Sequence, residues 1–269
     1  MDRPDAPSLP TDGFNALATT RNGLMLYNRN DEYIGASLRK YGEYSPGETE
    51  LFQQILTPGM TVVEAGANIG VHTVDLSRFV GPQGVVVAFE PQRIVFQALC
   101  ANLALNSCAN VRALQAGLGE APGEIVVPFL PPDQHLNFGG LSLLGANAGE
   151  SVPLMTLDQL ALTDLHFLKL DVEGMEVEAL RGAARTIEAF RPLLYVENDR
   201  GDRSDELLGL LRSWNYRLYW HVTPLFSPNN FANDPENIFD TVASFNVLCV
   251  PNDRDITVID MVEVGADGT

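Results

Sequence analysis

Thr61-Val62-Val63-Glu64-Ala65-Gly66-Ala67-Asn68-Ile69-Gly70 is the stretch that decides the fold. Its β-branched opening predicts a short buried strand. The glycines that follow predict a strand-to-helix turn, where a missing Cβ lets backbone pass close to a ligand and aims helix N–H groups at it. Asn68 is placed as the N-cap of a helix running through Val71, Val74 and Phe79 to Gly81-Pro82. Val85-Val86-Val87-Ala88-Phe89 then carries no polar residue, as expected of a parallel strand covered on both faces.

Working outward, the same alternation continues. A helix is expected over 94–105, a strand at 111–114, a strand at 165–170 ending on Asp171, a helix over 175–189 and a strand at 193–196 ending on Glu197-Asn198. A helix over 205–214 and strands near 217–220 and 244–250 complete the pattern. Strands alternating with helices at this spacing imply a parallel sheet with right-handed crossovers. Ser45-Pro46-Gly47-Glu48 and Thr156-Leu157-Asp158-Gln159 have capping-box spacing and should open helices. Residues 118–154 are Gly- and Pro-rich and read as irregular, with a strand-like Ile125-Val126-Val127. The organisation expected is an N-terminal arm and cover over 1–45, the main domain over 46–260 and a tail over 261–269. Within the first part, residues 1 to about 20 read as a loose arm and 23–40 as a hairpin or cover.

Composition narrows the function classes. The 269 residues are 45% hydrophobic and 19% charged, enough for a sizeable core. Lys and Arg number 17 against 35 Asp and Glu, a formal net charge of -18. Such a surface repels phosphate backbones and anionic lipid heads, so neither nucleic acid nor membrane is an expected partner. Three cysteines make no disulfide framework or metal pattern; Cys100 and Cys249 read as small core residues. No apolar run is long enough for a membrane span and the first twenty residues lack an apolar signal region, so the expected compartment is the cytoplasm.

Glu90 stands twenty positions after Gly70, at the end of the second strand, where a carboxylate can accept hydrogen bonds from ribose hydroxyls. A dinucleotide fingerprint would need a glycine where Asn68 stands. Glu64 before the turn disfavours a pyrophosphate and suits a cationic ligand. S-adenosylmethionine, which carries a sulfonium and an ammonium but no phosphate, fits that charge pattern. Asp171 and Glu173, in Lys169-Leu170-Asp171-Val172-Glu173-Gly174-Met175-Glu176, lie at a carboxyl strand end, where open parallel sheets bind ligands. Glu176, in contrast, is read as capping the helix that follows.

The run from Val63 to Gly70 with His72-Thr73, then Phe89-Glu90-Pro91, Thr156-Leu157-Asp158 and the Lys169–Glu176 segment, resembles the FkbM-type methyltransferases. The similarity spans roughly residues 41–251. It implies an α/β, Rossmann-like class I methyltransferase fold, a seven-stranded, mostly parallel sheet with a final antiparallel strand. It further implies S-adenosylmethionine as donor and, often, an oxygen acceptor. Glu64, Gly66, Asn68 and Gly70 would surround the methionine part, Glu90 the ribose, with Asp171 beside the cofactor. Where the family commonly has Asp, this chain has Glu64.

Methyl transfer to an alcohol calls for a base or a metal. Asp171, Glu197 and Asn198 end adjacent strands and would suit Mg²⁺ or another divalent cation; the layout resembles that of the metal-dependent catechol-type O-methyltransferases. Glu197 and Asn198 could instead cap the loop and helix after them. His221, at the end of a strand, is a candidate base beside Asp171 and Glu173, or a loop histidine held by hydrogen bonds. Residues 41–44, 135–142 and 229–231 could cover a pocket for a small molecule or glycan. N-methylation on the same fold, a nicotinamide-dependent oxidoreductase and a non-catalytic cofactor-binding partner are the alternatives.

Overall fold

The quoted strand lies inside the sheet it predicts. The structure, a computed structural model, describes residues 9–10 and 12–265. The start of the expected arm and the last four residues of the expected tail lie outside the described residues.

In chain order the elements are β1 (Asn15–Thr20), β2 (Gly23–Asn28), α1 (Ile34–Tyr41), α2 (Pro46–Ile55), β3 (Thr61–Ala65), α3 (Val71–Val80), β4 (Val85–Phe89), α4 (Arg93–Leu105), β5 (Val111–Leu114), β6 (Gly117–Leu118), β7 (Gly123–Val127) and β8 (Glu150–Met155). There follow β9 (Phe167–Leu170), α5 (Glu176–Arg181), α6 (Ala184–Phe190), β10 (Leu193–Glu197), α7 (Gly201–Ser213), β11 (Tyr216–Pro224), β12 (Ala243–Pro251) and β13 (Val262–Glu263). The main sheet has the order β13-β11-β12-β10-β9-β3-β4-β5. Strands β5, β4, β3, β9 and β10 run parallel, and β12 enters antiparallel between β10 and β11. This is the expected seven-stranded arrangement with one addition. The two-residue β13, in the segment read as tail, pairs with Tyr219 and Trp220 at the sheet edge.

The order reverses between β3 and β9, which opens a crevice at their carboxyl ends. The core lies on both faces of the sheet. One layer packs Val63, Leu168, Leu194 and Val196 under α5–α7, and the other packs Val62, Val86, Phe167 and Tyr195 against Phe52 of α2 and Leu76 of α3.

Several local expectations are corrected. Residues 15–20 are a strand paired with 23–28, not an arm, because Ala16, Ala18, Met25 and Tyr27 pack with Leu99 and Leu103 of α4. The helix expected over 175–189 is two helices, broken at Gly182-Ala183. The break fits two features: a Cβ on Gly182 would overlap the Gly119 carbonyl, and Asp158 accepts the Thr186 N–H at 2.8 Å, capping α6 from outside. The irregular stretch holds a three-stranded sheet, β6-β8-β7. The Thr156 capping box forms and opens a short helix as expected, of the 3-10 type. Cys249 is buried as expected, whereas Cys100 is exposed, at the edge of the α4 face that buries Leu99 and Leu103. No helix among the described residues is long and apolar enough to cross a membrane.

Candidate active site

At the carboxyl end of β3 the chain turns sharply. Gly66 N–H and Ala67 N–H both donate to the Phe89 carbonyl, at 3.0 and 2.9 Å. Gly66 has φ 80° and a Cβ there would overlap the Asp171 carbonyl oxygen, so only glycine allows strand ends β3 and β9 to approach this closely. Asn68 does not cap α3; it sits at φ 49° within the turn, and Gly70 at φ 87° is the N-cap. Asn68 N–H instead donates to Glu90 Oε2 at 3.0 Å, and Gln92 N–H to Glu90 Oε1 at 2.8 Å. Gln92 Nε2 reaches the Phe138 carbonyl at 2.7 Å, tying the 128–149 loop to this end.

Glu64 and Glu90 flank the turn and are both buried. Thr73 Oγ1 donates to Glu64 Oε2 at 2.6 Å. Burial pushes the Glu64 carboxyl up to about 7 against the pull of Lys169, and pushes Glu90 up to about 7 against its two backbone donors. Such groups ionise readily when a cation arrives.

Next to them lies a cluster the sequence only half revealed. Lys169 is directly opposite Glu64 in the parallel β3–β9 pair, is 1% exposed, and its Nζ lies 3.0 Å from Asp171 Oδ2. Burial alone would lower its pKa; Asp171, Glu64 and Glu48 together raise it, so it is a fixed ammonium. Oxygens of Asp171, Glu173 and Glu197 lie within 4.8 Å of one another. Glu173, at φ 56°, pairs with Arg200 Nη2 at 2.6 Å, and burial with Asp171 pushes it up to about 8. Glu197 is raised well above the usual carboxylate range by burial and by Asp171 and Glu173. Its Oε2 is buried without a hydrogen-bond partner among the described residues. Glu176 does not cap the following helix but ties down the turn before it: its Oε1 accepts the Val172 and Gly174 N–H groups, each at 3.1 Å.

Two expected members do not join. Asn198 turns away from the cavity and donates from Nδ2 to Ser204 Oγ at 2.9 Å, so the acidic set contains Glu173 in its place. His221 lies within β11 rather than at its end, outside the cavity wall, with Nδ1 2.8 Å from the Tyr195 hydroxyl. It is hydrogen-bonded, as the alternative reading has it, but in a strand and not a loop.

A cavity of about 500 Å³ is lined by Gly66, Glu90, Gln92 and Asp171 and closed by a wall of other side chains, here called the far wall, although its Ile34 packs with Ala67 and Ile69 of the turn. That wall comprises Tyr33, Ile34, Tyr44, Glu48 and His72 on one side, and Leu225 and residues 242–246 on the other. Ser45 Oγ donates to Glu48 Oε1 at 2.8 Å instead of capping α2, which turns the expected capping box into a holder for a buried carboxylate. His72 Nε2 is 3.7 Å from Glu48, and burial followed by Lys169 pushes the imidazole down to about 3, so it is neutral. Asn137 and 139–141 line the cavity as the cover expectation required, as does Tyr44. Residues 229–231 do not; Phe231 N–H donates to Glu43 at 3.0 Å and braces the cover from behind.

Glu48, His72 and Lys169 are the site residues that sequence reasoning left unassigned. Lys169 had a signal: it is the one charge in the strand Phe167-Leu168-Lys169-Leu170. Glu48 had none, because its spacing reads equally as a helix cap.

A reversed-order parallel sheet with a glycine turn and acidic strand ends around one cavity defines a Rossmann-like class I methyltransferase fold. Residues 64–218 match the family described as Methyltransferase FkbM domain, more than half of the chain, and the protein belongs to that family. It is 32% identical over 155 residues to Methyltransferase sdnD of Sordaria araneosa, covering 45% of this chain and 59% of that protein. Against Methyltransferase 1 of Beauveria bassiana the identity is 32% over 148 residues, covering 45% and 57%. The chain thus spans less than two thirds of the length of these curated relatives. The solved structure of Methyltransferase FkbM from Methylobacillus flagellatus KT aligns at 18% identity and a TM-score of 0.45, covering 74% of this chain and 50% of that one.

Proposed function

We propose that the protein transfers a methyl group from S-adenosylmethionine to a hydroxyl of a small molecule or glycan. One observation carries the reading. Among the described residues, seven carboxylates line the cavity, namely Glu48, Glu64, Glu90, Asp171, Glu173, Glu197 and Asp199, against two cationic side chains, Lys169 and Arg200, each paired with a carboxylate. A pyrophosphate would find no free counter-charge there, whereas a sulfonium nucleoside fits. Its amine would meet Glu64, its ribose Glu90, and its methyl would face the Asp171 rim.

In the proposed step the acceptor oxygen attacks the methyl carbon, the carbon–sulfur bond breaks and its electron pair stays on sulfur. The hydroxyl proton passes to the carboxylate rim, with Asp171 and Glu173 as the candidate receivers. Lys169 holds Asp171 in place for that role. The orphaned Glu197 oxygen and the close grouping with Asp171 and Glu173 also fit a hard divalent cation such as Mg²⁺. Bound there, a metal would supply Lewis-acid lowering of the hydroxyl's pKa.

Calorimetric titration with S-adenosylmethionine and with NAD tests the donor. Binding of the first and not the second is expected, and the reverse would install the oxidoreductase reading. Chelation tests the metal, since turnover that survives exhaustive chelation removes it.

A further inference from the structure

Two features of the far wall bear on what the acceptor must look like. The first is charge. Lys169 and Arg200 lie 3.0 Å from Asp171 and 2.6 Å from Glu173, and His72 is neutral. Among the described residues of the wall, each cation is already paired with a carboxylate, so although Arg200 Nε keeps no hydrogen-bond partner, a phosphate or carboxylate on the acceptor would meet more negative than positive charge.

The second is an apolar strip that leads out of the cavity. Val242 and Phe245 line it and are nevertheless 40% and 46% exposed. Val222, 46% exposed, stands directly opposite Phe245 in the antiparallel β11–β12 ladder. Opposed residues in such a pair share a face, with Cβ atoms about 5 Å apart. The strip therefore continues the cavity wall onto the surface. Three side chains fall far short of the roughly 800 Å² per partner that a stable protein interface buries. They match the hydrocarbon part of one small molecule whose other part is inside.

We propose that the acceptor is uncharged and amphipathic: a hydroxylated head enters the cavity beside Asp171, and an apolar body lies on Val222, Val242 and Phe245. This inference rests on the methyltransferase reading and names the acceptor class that reading leaves open.

The test uses S-adenosylhomocysteine, methyl β-glucopyranoside and hexyl β-glucopyranoside as probes, the last below its micelle concentration. S-adenosylhomocysteine is titrated first; if it does not bind, the methyltransferase reading falls and the inference with it. With the donor site filled, the hexyl glucoside should bind at least ~tenfold more tightly than the methyl glucoside, a gain that burial of about two methylenes supplies. The Val222→Ser protein, changed outside the cavity lining, should keep its S-adenosylhomocysteine and methyl glucoside affinities and lose most of the hexyl advantage. The position is exposed, and an unchanged melting temperature confirms that the variant folds. With the donor site filled, the inference alone is overturned by equal affinity for the two glucosides, by no binding of either, by an advantage that survives the substitution, or by glucose 6-phosphate binding more tightly than methyl glucoside.

Discussion

The two ends of the cavity come from different parts of the chain. The donor end, with Glu64, Gly66, Asn68, Glu90 and Gln92, lies wholly within the residues 64–218 that match the family. The proposed acceptor end is supplied mostly from outside that match, by Tyr33, Ile34, Tyr44 and Glu48 before it and by Leu225 and residues 242–246 after it, with His72 from within it. These outer segments are fastened to each other. Tyr41 donates its hydroxyl to the Glu236 carbonyl at 2.8 Å, Lys40 pairs with Asp234 and Glu236 at 3.0 and 2.7 Å, and Tyr41, Leu225 and Phe239 share an apolar cluster. The proposed donor end is a turn locked by backbone sterics, while the proposed acceptor end is a wall of side chains, of which Ile34 packs with Ala67 and Ile69 beside the turn. Family membership therefore speaks for the first and is silent on the second.

If that division holds, substitutions at the two ends should separate cleanly. The largest effect is expected from Gly66→Ala, where left-handed strain of about 1–3 kcal/mol joins a clash with the Asp171 carbonyl. S-adenosylmethionine affinity should fall at least ~100-fold by calorimetry. Glu64→Gln should weaken the donor by about 10- to 100-fold, the range for a hydrogen bond to a charged group.

The wild-type donor affinity should rise with pH up to about 7, because a cationic ligand needs Glu64 ionised, and Glu64→Gln should lose that slope. Stability of the unliganded protein should move the other way. Glu64 and Glu90 are raised from 4.5 to about 7 in the fold, so their contribution is full below 4.5 and is lost as pH climbs through 7. Each accounts for on the order of 3 kcal/mol of that loss, measurable by denaturant unfolding across the range.

Smaller effects should come from the other end. Tyr33→Ala should leave donor affinity within about twofold, as expected for a ring stacked on Phe239 and not on the turn. Smallest of all, His221→Ala should leave donor binding unchanged and cost about 1 kcal/mol of stability for the lost Tyr195 hydrogen bond. A large loss of donor binding in either variant would dissolve the distinction between the ends.

The same division explains what could be read in the chain beforehand. The strand Val85–Phe89 has the expected bounds, because a buried parallel strand is written as an uninterrupted apolar run; the edge strand Val111–Leu114 also keeps its bounds, with Arg112 exposed. Glu64, Gly66 and Glu90 reach one cavity because turn chemistry and strand ends are local properties. Asn68 was misplaced as a cap because a left-handed asparagine and an N-cap asparagine look alike in sequence. Ser45 and Glu48 failed in the same way, their capping spacing serving a tertiary purpose. His221 could not be placed because its side of β11 depends on register with β12, some twenty residues later. The acceptor wall was least legible, since it joins segments nearly two hundred residues apart, such as Tyr41 and Glu236.

A crystal structure of the protein with S-adenosylhomocysteine would test the central claim most directly. The account predicts the ligand's amine within hydrogen-bonding distance of Glu64, its ribose hydroxyls on Glu90 and its backbone over Gly66. A nucleoside bound elsewhere, or a cleft closed over Gly66 by the protein's own side chains, would contradict it.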